Sequence, residues 1–187
     1  MVASSLEKLE KQYDLDIHWR SFELRPAGSP PIPPEYRKRI ESSRPMFEKR
    51  AREQYGLEIN AGPFGINSRP ALIADKYAES QGKGKPFHKA VMEAYWQQAS
   101  SIDDPNVLKE IAENIGLNTE NFETILVDPT YDAEVSADIN LAHEYRLNGV
   151  PALVFANKYL VMGAQPFDTL KQVVEKVQEE EGGNWSL

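Results

Sequence analysis

The sequence predicts an α/β fold in which a large all-helical insertion separates a strand at 16–22 from a β-hairpin at 152–162. Three observations predict it. Ile17-His18-Trp19-Arg20-Ser21-Phe22 has the β-branched and aromatic content of a strand. Ala152-Leu153-Val154-Phe155 and Tyr159-Leu160-Val161-Met162 are short apolar runs, and the Ala156-Asn157-Lys158 between them reads as a tight hairpin turn. Through residues 34–147 the apolar positions recur at helical spacing.

The chain opens with a short helix in which Leu6, Leu9 and Tyr13 share one face. Ser4 followed by Glu7 has the form of a capping box, which makes Ser4 an N-cap rather than a nucleophile. Asp14-Leu15-Asp16 turns the chain into the strand. Five of the 13 prolines lie between Pro26 and Pro34, a stretch that suits neither a helix interior nor a central strand. Glu35 to Tyr55 is a charged helix, broken or kinked at Pro45 and ended by Gly56. Glu35, Glu41, Glu48 and Glu53 interleave with its Arg and Lys residues, which favours a solvated face over a basic docking surface.

After a loop at 60–67, Ser68 is placed to cap a helix to about Gln81, with Leu72, Ile73, Ala74 and Tyr77 inward. Lys85 to Ala99 is another, carrying Phe87, Val91, Ala94 and Tyr95, with Trp96 and Trp19 expected in the core. Asp104 suits an N-cap and Pro105 the first helical position of the next, whose core stripe is Val107, Leu108, Ile111 and Ile115. Helices at Thr119–Leu126 and Tyr131–Leu147 follow, the second inward through Val135, Ile139, Ala142 and Tyr145. A last helix presents Phe167, Leu170, Val173, Val174 and Val177. The tail from Glu179 to Gly183 is expected to fray, and Trp185 to be exposed.

Twenty-one Lys and Arg face 29 Asp and Glu, a net charge of −8 that argues against nucleic-acid binding and anionic membrane surfaces. The absence of any cysteine removes disulfides, zinc-thiolate sites and thiol nucleophiles from this chain. His18, His88 and His143 lie far apart, so no metal site is read. No Gly-rich phosphate loop follows a strand and no Gly-x-Ser-x-Gly elbow occurs. Without a cationic apolar leader or a bilayer-length apolar run, the expected location is cytoplasmic.

Strand, helical insert, Gly149-Val150-Pro151, hairpin and helix is the order of a thioredoxin-like fold. Leu6-Glu7-Lys8-Leu9, Trp19-Arg20-Ser21-Phe22-Glu23-Leu24 and Asn67-Ser68-Arg69-Pro70-Ala71-Leu72 stand in that order, followed by Asp103-Asp104-Pro105-Asn106 and Lys158-Tyr159-Leu160-Val161-Met162-Gly163-Ala164-Gln165-Pro166. Over nearly its whole length the chain resembles the DsbA-like thioredoxin-fold oxidoreductases, in particular the FrnE-type branch. The resemblance implies a thioredoxin-like domain at 1–25 and 148–182, lacking its first strand, and a helical insertion domain at 34–147. It also implies that Met1 lies just past the family's Cys-Pro-x-Cys motif, so that the chain is an N-terminally shortened member with its catalytic cysteines absent.

The residue matching the family's cis-proline is Pro151, preceded by Val150. The resemblance implies a cis bond there and a substrate groove formed by Val150, Pro151, Asn67 and Gln165. The expected activity class is protein dithiol–disulfide exchange, with this cysteine-free chain redox-inactive. The alternatives are a relative of the glutathione-dependent isomerases and kappa-type transferases, or a non-catalytic module binding peptides or small thiols. Expected partners are a protein dithiol or disulfide, or a small thiol, with homodimer formation as a way to share a sheet. No cofactor is implied, and glutathione is the candidate ligand.

Overall fold

The computed structural model describes residues 1–180 and Gly182; Glu181 and residues 183–187, Trp185 among them, lie outside the described residues. Among the described residues, eight helices and two strands run in the order α1 (Val2–Glu10), α2 (Pro34–Tyr55), α3 (Arg69–Ser80), α4 (Gly84–Gln97), α5 (Pro105–Asn114), α6 (Phe122–Ile125), α7 (Pro129–Glu144), β1 (Ala152–Phe155), β2 (Tyr159–Met162) and α8 (Phe167–Glu180). The α/β fold with its helical insertion is as the sequence predicts. Two compact units make up the chain: residues 1–19 with everything from His143 onward, and Arg20–Ala142.

In the first unit, Leu6 and Leu9 of α1 meet Leu170 and Val174 of α8 in a core to which Leu153, Phe155 and Val161 of the hairpin contribute one face. Leu9 and Leu170 are completely buried, and burying each such side chain stabilises the fold by about 1.5–3 kcal/mol. Tyr13 donates to Glu175 Oε1 at 2.8 Å, adding a polar tie between the start of the chain and α8. The hairpin pairs Ala152 with Met162 through Phe155 with Tyr159, antiparallel. The Lys158 amide donates to the Phe155 carbonyl, and Ala156 and Asn157 between them both have positive φ, the combination found in type I′ turns.

The second unit is helical. Phe87 of α4 and Leu108 of α5, both fully buried, anchor a core that includes Ala74 and Tyr77 of α3, Ile111 of α5 and Phe122 of α6. The 60–67 loop is tied to the end of α4 by the Asn60 amide donating to Trp96 O at 2.7 Å and the Gly62 amide to Tyr95 O at 2.6 Å. A Cβ on Gly62 would stand 2.4 Å from Ser100 O, so only glycine fits that approach.

Several expectations need correction. Residues 17–22 form no strand: among the described residues the sheet has two strands, and no chain segment hydrogen-bonds to this stretch as a ladder. Its alternation survives, because Leu15, Ile17 and Trp19 pack on the same core as Leu153 and Phe155. Ser4 caps nothing, since α1 starts at Val2 and places Ser4 inside the helix. Ser68 makes no capping bond either; the Asn67 side chain takes that role, accepting from the Arg69 amide at 3.0 Å. Asn121 in the left-handed region (φ 55°) delays α6 to Phe122. Tyr145 lies beyond the end of α7 and is exposed rather than inward. Glu179 and Glu180 remain in α8 instead of fraying. Asp104 does cap α5, accepting from the Asn106 amide at 2.8 Å, with Pro105 at the first helical position.

Candidate functional site

After α7 the chain runs through Gly149, where a Cβ would meet nothing within 4 Å, into an exposed Val150 and a cis Val150–Pro151 peptide bond. The Pro151 carbonyl accepts from the Gly163 amide at 2.8 Å, which fixes the hydrogen-bonding phase of the hairpin. With that pair bonded, Leu153 with Val161 and Phe155 with Tyr159 are the other bonded pairs. The amides and carbonyls of Ala152 and Val154 therefore point away from β2, to the outer edge of β1. Among the described residues no backbone group bonds them, and the Val150 backbone is likewise without a partner.

Side chains complete the surface. Alternation puts Val154, Leu160 and Met162 on the face opposite the α1–α8 core, and all three are exposed, as is Val150 at 52 %. Gly163 turns the chain at φ 79°, a value suited to glycine, and Gln165 Nε2 donates to Met162 O at 2.8 Å, holding the turn into α8. Val150, Pro151 and Gln165 thus belong to the first unit. Asn67 belongs to the second, where its side chain is engaged at the start of α3. Chemically, the β1 edge offers amide donors and carbonyl acceptors at alternate residues beside an apolar face, which suits an extended polypeptide segment.

Sequence reasoning missed the densest polar assembly, which lies in the second unit. Asp138 of α7 accepts from Lys76 Nζ of α3 at 2.8 Å, from Arg20 Nη1 at 3.1 Å and from the Ser21 amide at 2.9 Å. Lys76 also donates to Glu79 at 2.9 Å. Burial works against the charge on Lys76 and is the largest influence. The hydrogen bonds and charges of Asp138 and Glu79 outweigh it, holding the ammonium above the usual lysine range. For Asp138 burial again opposes ionisation, but Lys76, the Ser21 amide and Arg20 hold the carboxyl below the usual range.

A second assembly lies on the same two helices. Arg69 donates to Asp132 Oδ1 at 2.7 Å, to Ser136 Oγ at 2.7 Å and to Glu23 Oε2 at 3.3 Å. That arginine holds Asp132 below the usual carboxylate range. The two assemblies fasten residues 20–23 to α3 and α7 through ionic and hydrogen bonds in place of a sheet ladder. A signal existed for the first: Lys76 follows Ile73 by three, and Asp138 follows Val135 by three, so each charge stands on a core-facing row.

No helix among the described residues is long and apolar enough to cross a membrane, and no cluster of metal-ligating side chains occurs among them. The profile of the DSBA-like thioredoxin domain family matches residues 1–175. The uncharacterized protein YwbO of Bacillus subtilis (strain 168) is 26 % identical over 185 residues, covering 94 % of this chain and 89 % of that protein. A probable DsbA oxidoreductase from Streptomyces coelicolor superposes with a TM-score of 0.80 at 23 % identity, over 99 % of this chain and 85 % of that one. The structure of a 2-hydroxychromene-2-carboxylate isomerase gives 0.79 at 20 % identity, over 99 % and 93 % of the two chains.

Proposed function

The chain belongs to the DSBA-like thioredoxin domain family, and from that premise we propose that it is a cytoplasmic, FrnE-type member whose scaffold serves protein dithiol–disulfide exchange by holding an extended substrate segment beside Val150 and Pro151. The observation that carries this reading is the exposed Val150 directly before Pro151, whose backbone has no partner among the described residues. An extended segment laid beside Val150 gains backbone hydrogen bonds there, each worth about 0.5–1.5 kcal/mol net. The exchange step needs a thiolate, and this chain has no cysteine. The chain as it stands binds substrate without turning it over.

Two measurements test the reading. In an insulin-reduction assay this chain gives no turnover above the uncatalysed rate; measurable turnover contradicts the inactive assignment. Amide hydrogen exchange on adding an unfolded, reduced protein slows at Val150; unchanged exchange there removes the peptide-binding reading. The likeness to the isomerase concerns fold alone. Calorimetry with glutathione separates that chemistry from this one, because glutathione binding without polypeptide binding favours a glutathione-dependent role.

A further inference from the structure

Helix α2 has 22 residues and buries one of them, Ala51. It carries seven of the chain's 21 Lys and Arg residues but four of its 29 Asp and Glu, so it is a locally positive element on a molecule of net charge −8. Its inward side is defined by contacts: Tyr36 stacks on Phe64 with centroids 6.4 Å apart, and Phe47 packs on Trp96 at 5.9 Å. At 3.6 residues per turn the opposite side is the row Lys38, Ser42, Pro45, Lys49 and Arg52, spaced by four and three. All five are exposed, and none is a carboxylate, though Arg52 at the end of the row is already held by Glu58 at 2.7 Å.

Charges that alternate along the sequence are thus sorted in space. Glu41 and Glu48 fall on one flank, where Arg44 donates to Glu48 at 2.7 Å. On the other flank stand Arg39 and Met46, the latter 73 % exposed. Lys38 and Arg39 have no carboxylate within ion-pair reach among the described residues, and the Arg39 guanidinium lies over the Tyr36 ring at 4.9 Å. Lys49 reaches Glu53 at 3.9 Å, a pair so exposed that it is worth little and exchanges readily for another carboxylate.

We propose that the outward row of α2, with Lys38, Arg39 and Lys49 as its cations and Met46 as its apolar contact, docks an acidic helical segment of a partner polypeptide. Charge complementarity names the occupant. Lys38 and Lys49 stand eleven residues, about three turns, apart, so carboxylates at that separation on one helix meet both, and a leucine-class side chain between them covers Met46. Outside α2 the molecule carries 14 Lys and Arg (21 − 7) against 25 Asp and Glu (29 − 4), a net negative charge that favours this row over the remainder. A nucleic acid fits worse, because its continuous phosphate charge would run past the row onto that acidic surface.

The test is fluorescence anisotropy with a labelled helical peptide of Glu, Leu and Ala whose glutamates follow the four-three spacing. We expect saturable binding that weakens with salt and weakens about tenfold or more with the K38E/R39E/K49E variant. Substituting Lys for Glu in the peptide restores binding to that variant. The milder K38Q/K49Q variant gives a partial loss, and it serves if the triple reversal fails to fold, as judged by circular dichroism. Equal binding by all variants overturns the proposal, as does equal binding of a peptide with scrambled glutamate spacing. Tighter binding of a single-stranded oligonucleotide or of phosphatidylserine vesicles to the same row also overturns it.

Discussion

Lys76 Nζ lies 2.8 Å from Asp138 Oδ2, and each side chain is only 5 % exposed. An ion pair this deep matters mainly through what its breakage leaves behind. Removing one partner strands an uncompensated charge in a desolvated place, whereas removing both together does not. Lys76→Met alone and Asp138→Leu alone should each destabilise the protein by about 3–5 kcal/mol in urea unfolding, and the double variant should recover most of that loss. Additive losses in the double variant would show that the two side chains stabilise the fold separately.

The same pair sets a pH window. Asp138 titrates lower in the folded than in the unfolded chain, so its contribution is present above the unfolded value of about 3.9 and is lost as pH falls through the lower folded value. Lys76 titrates higher when folded; its contribution is complete below about 10.4 and is lost as pH rises through the folded value. Stability from this pair is therefore flat between those limits and falls on either side. Urea midpoints across the pH range check it, and Asp138→Asn should flatten the acid limb.

Proline scanning of β1 separates the edge from the ladder. The Val154 amide faces outward, so Val154→Pro removes an outer donor while sparing the β1–β2 bonds, a position where sheets tolerate proline. Leu153→Pro removes a donor to β2 and strikes the core. We expect Val154→Pro to keep the thermal midpoint within a few degrees, about 1 kcal/mol, and to leave polypeptide binding at Val150 in place. Leu153→Pro should unfold the first unit. Loss of binding by a folded Val154→Pro would place the substrate along β1 instead.

Gly62→Ala forces a methyl group to 2.4 Å from Ser100 O and 2.8 Å from Tyr95 Cδ2. The loop must shift to accommodate it, at the cost of the bonds from Asn60 and Gly62 to the end of α4. A loss of about 1–3 kcal/mol is expected from chemical unfolding, against about 1 kcal/mol for Gly28→Ser. Gly28 has open space around it, but its φ of 81° makes the serine mildly strained; any loss there sets the scale for backbone strain without a clash.

The hairpin and α8 were legible because their apolar spacing is set locally, two residues for Leu153 and Phe155, three to four for Leu170, Val174 and Val177. Asp104 and Pro105 announced α5 for the same reason. Residues 17–22 were misread because a strand is defined by what bonds to it. Ile17 and Trp19 alternate as strand residues do, yet the Ser21 amide donates to a carboxylate on α7. Val150 and Pro151 were legible as members of a motif. The Asp138 assembly was not, because Arg20 and Asp138 are 118 residues apart and no local pattern joins them. Only the two charges on core-facing rows hinted that something must neutralise them.

The pairing of α1 with α8 has a consequence for synthesis. Leu6 and Leu9 leave the ribosome well over a hundred residues before the Leu170 and Val174 they are buried against. The helices between Arg20 and Ala142 form a continuous stretch that can gather its own core as it emerges. Until α8 is released, Leu6 and Leu9 lack the side chains that complete their burial and Tyr13 has no Glu175 to bond. The first unit thus closes its core only after the whole helical unit has been made, and α1 waits through that interval as an amphipathic helix.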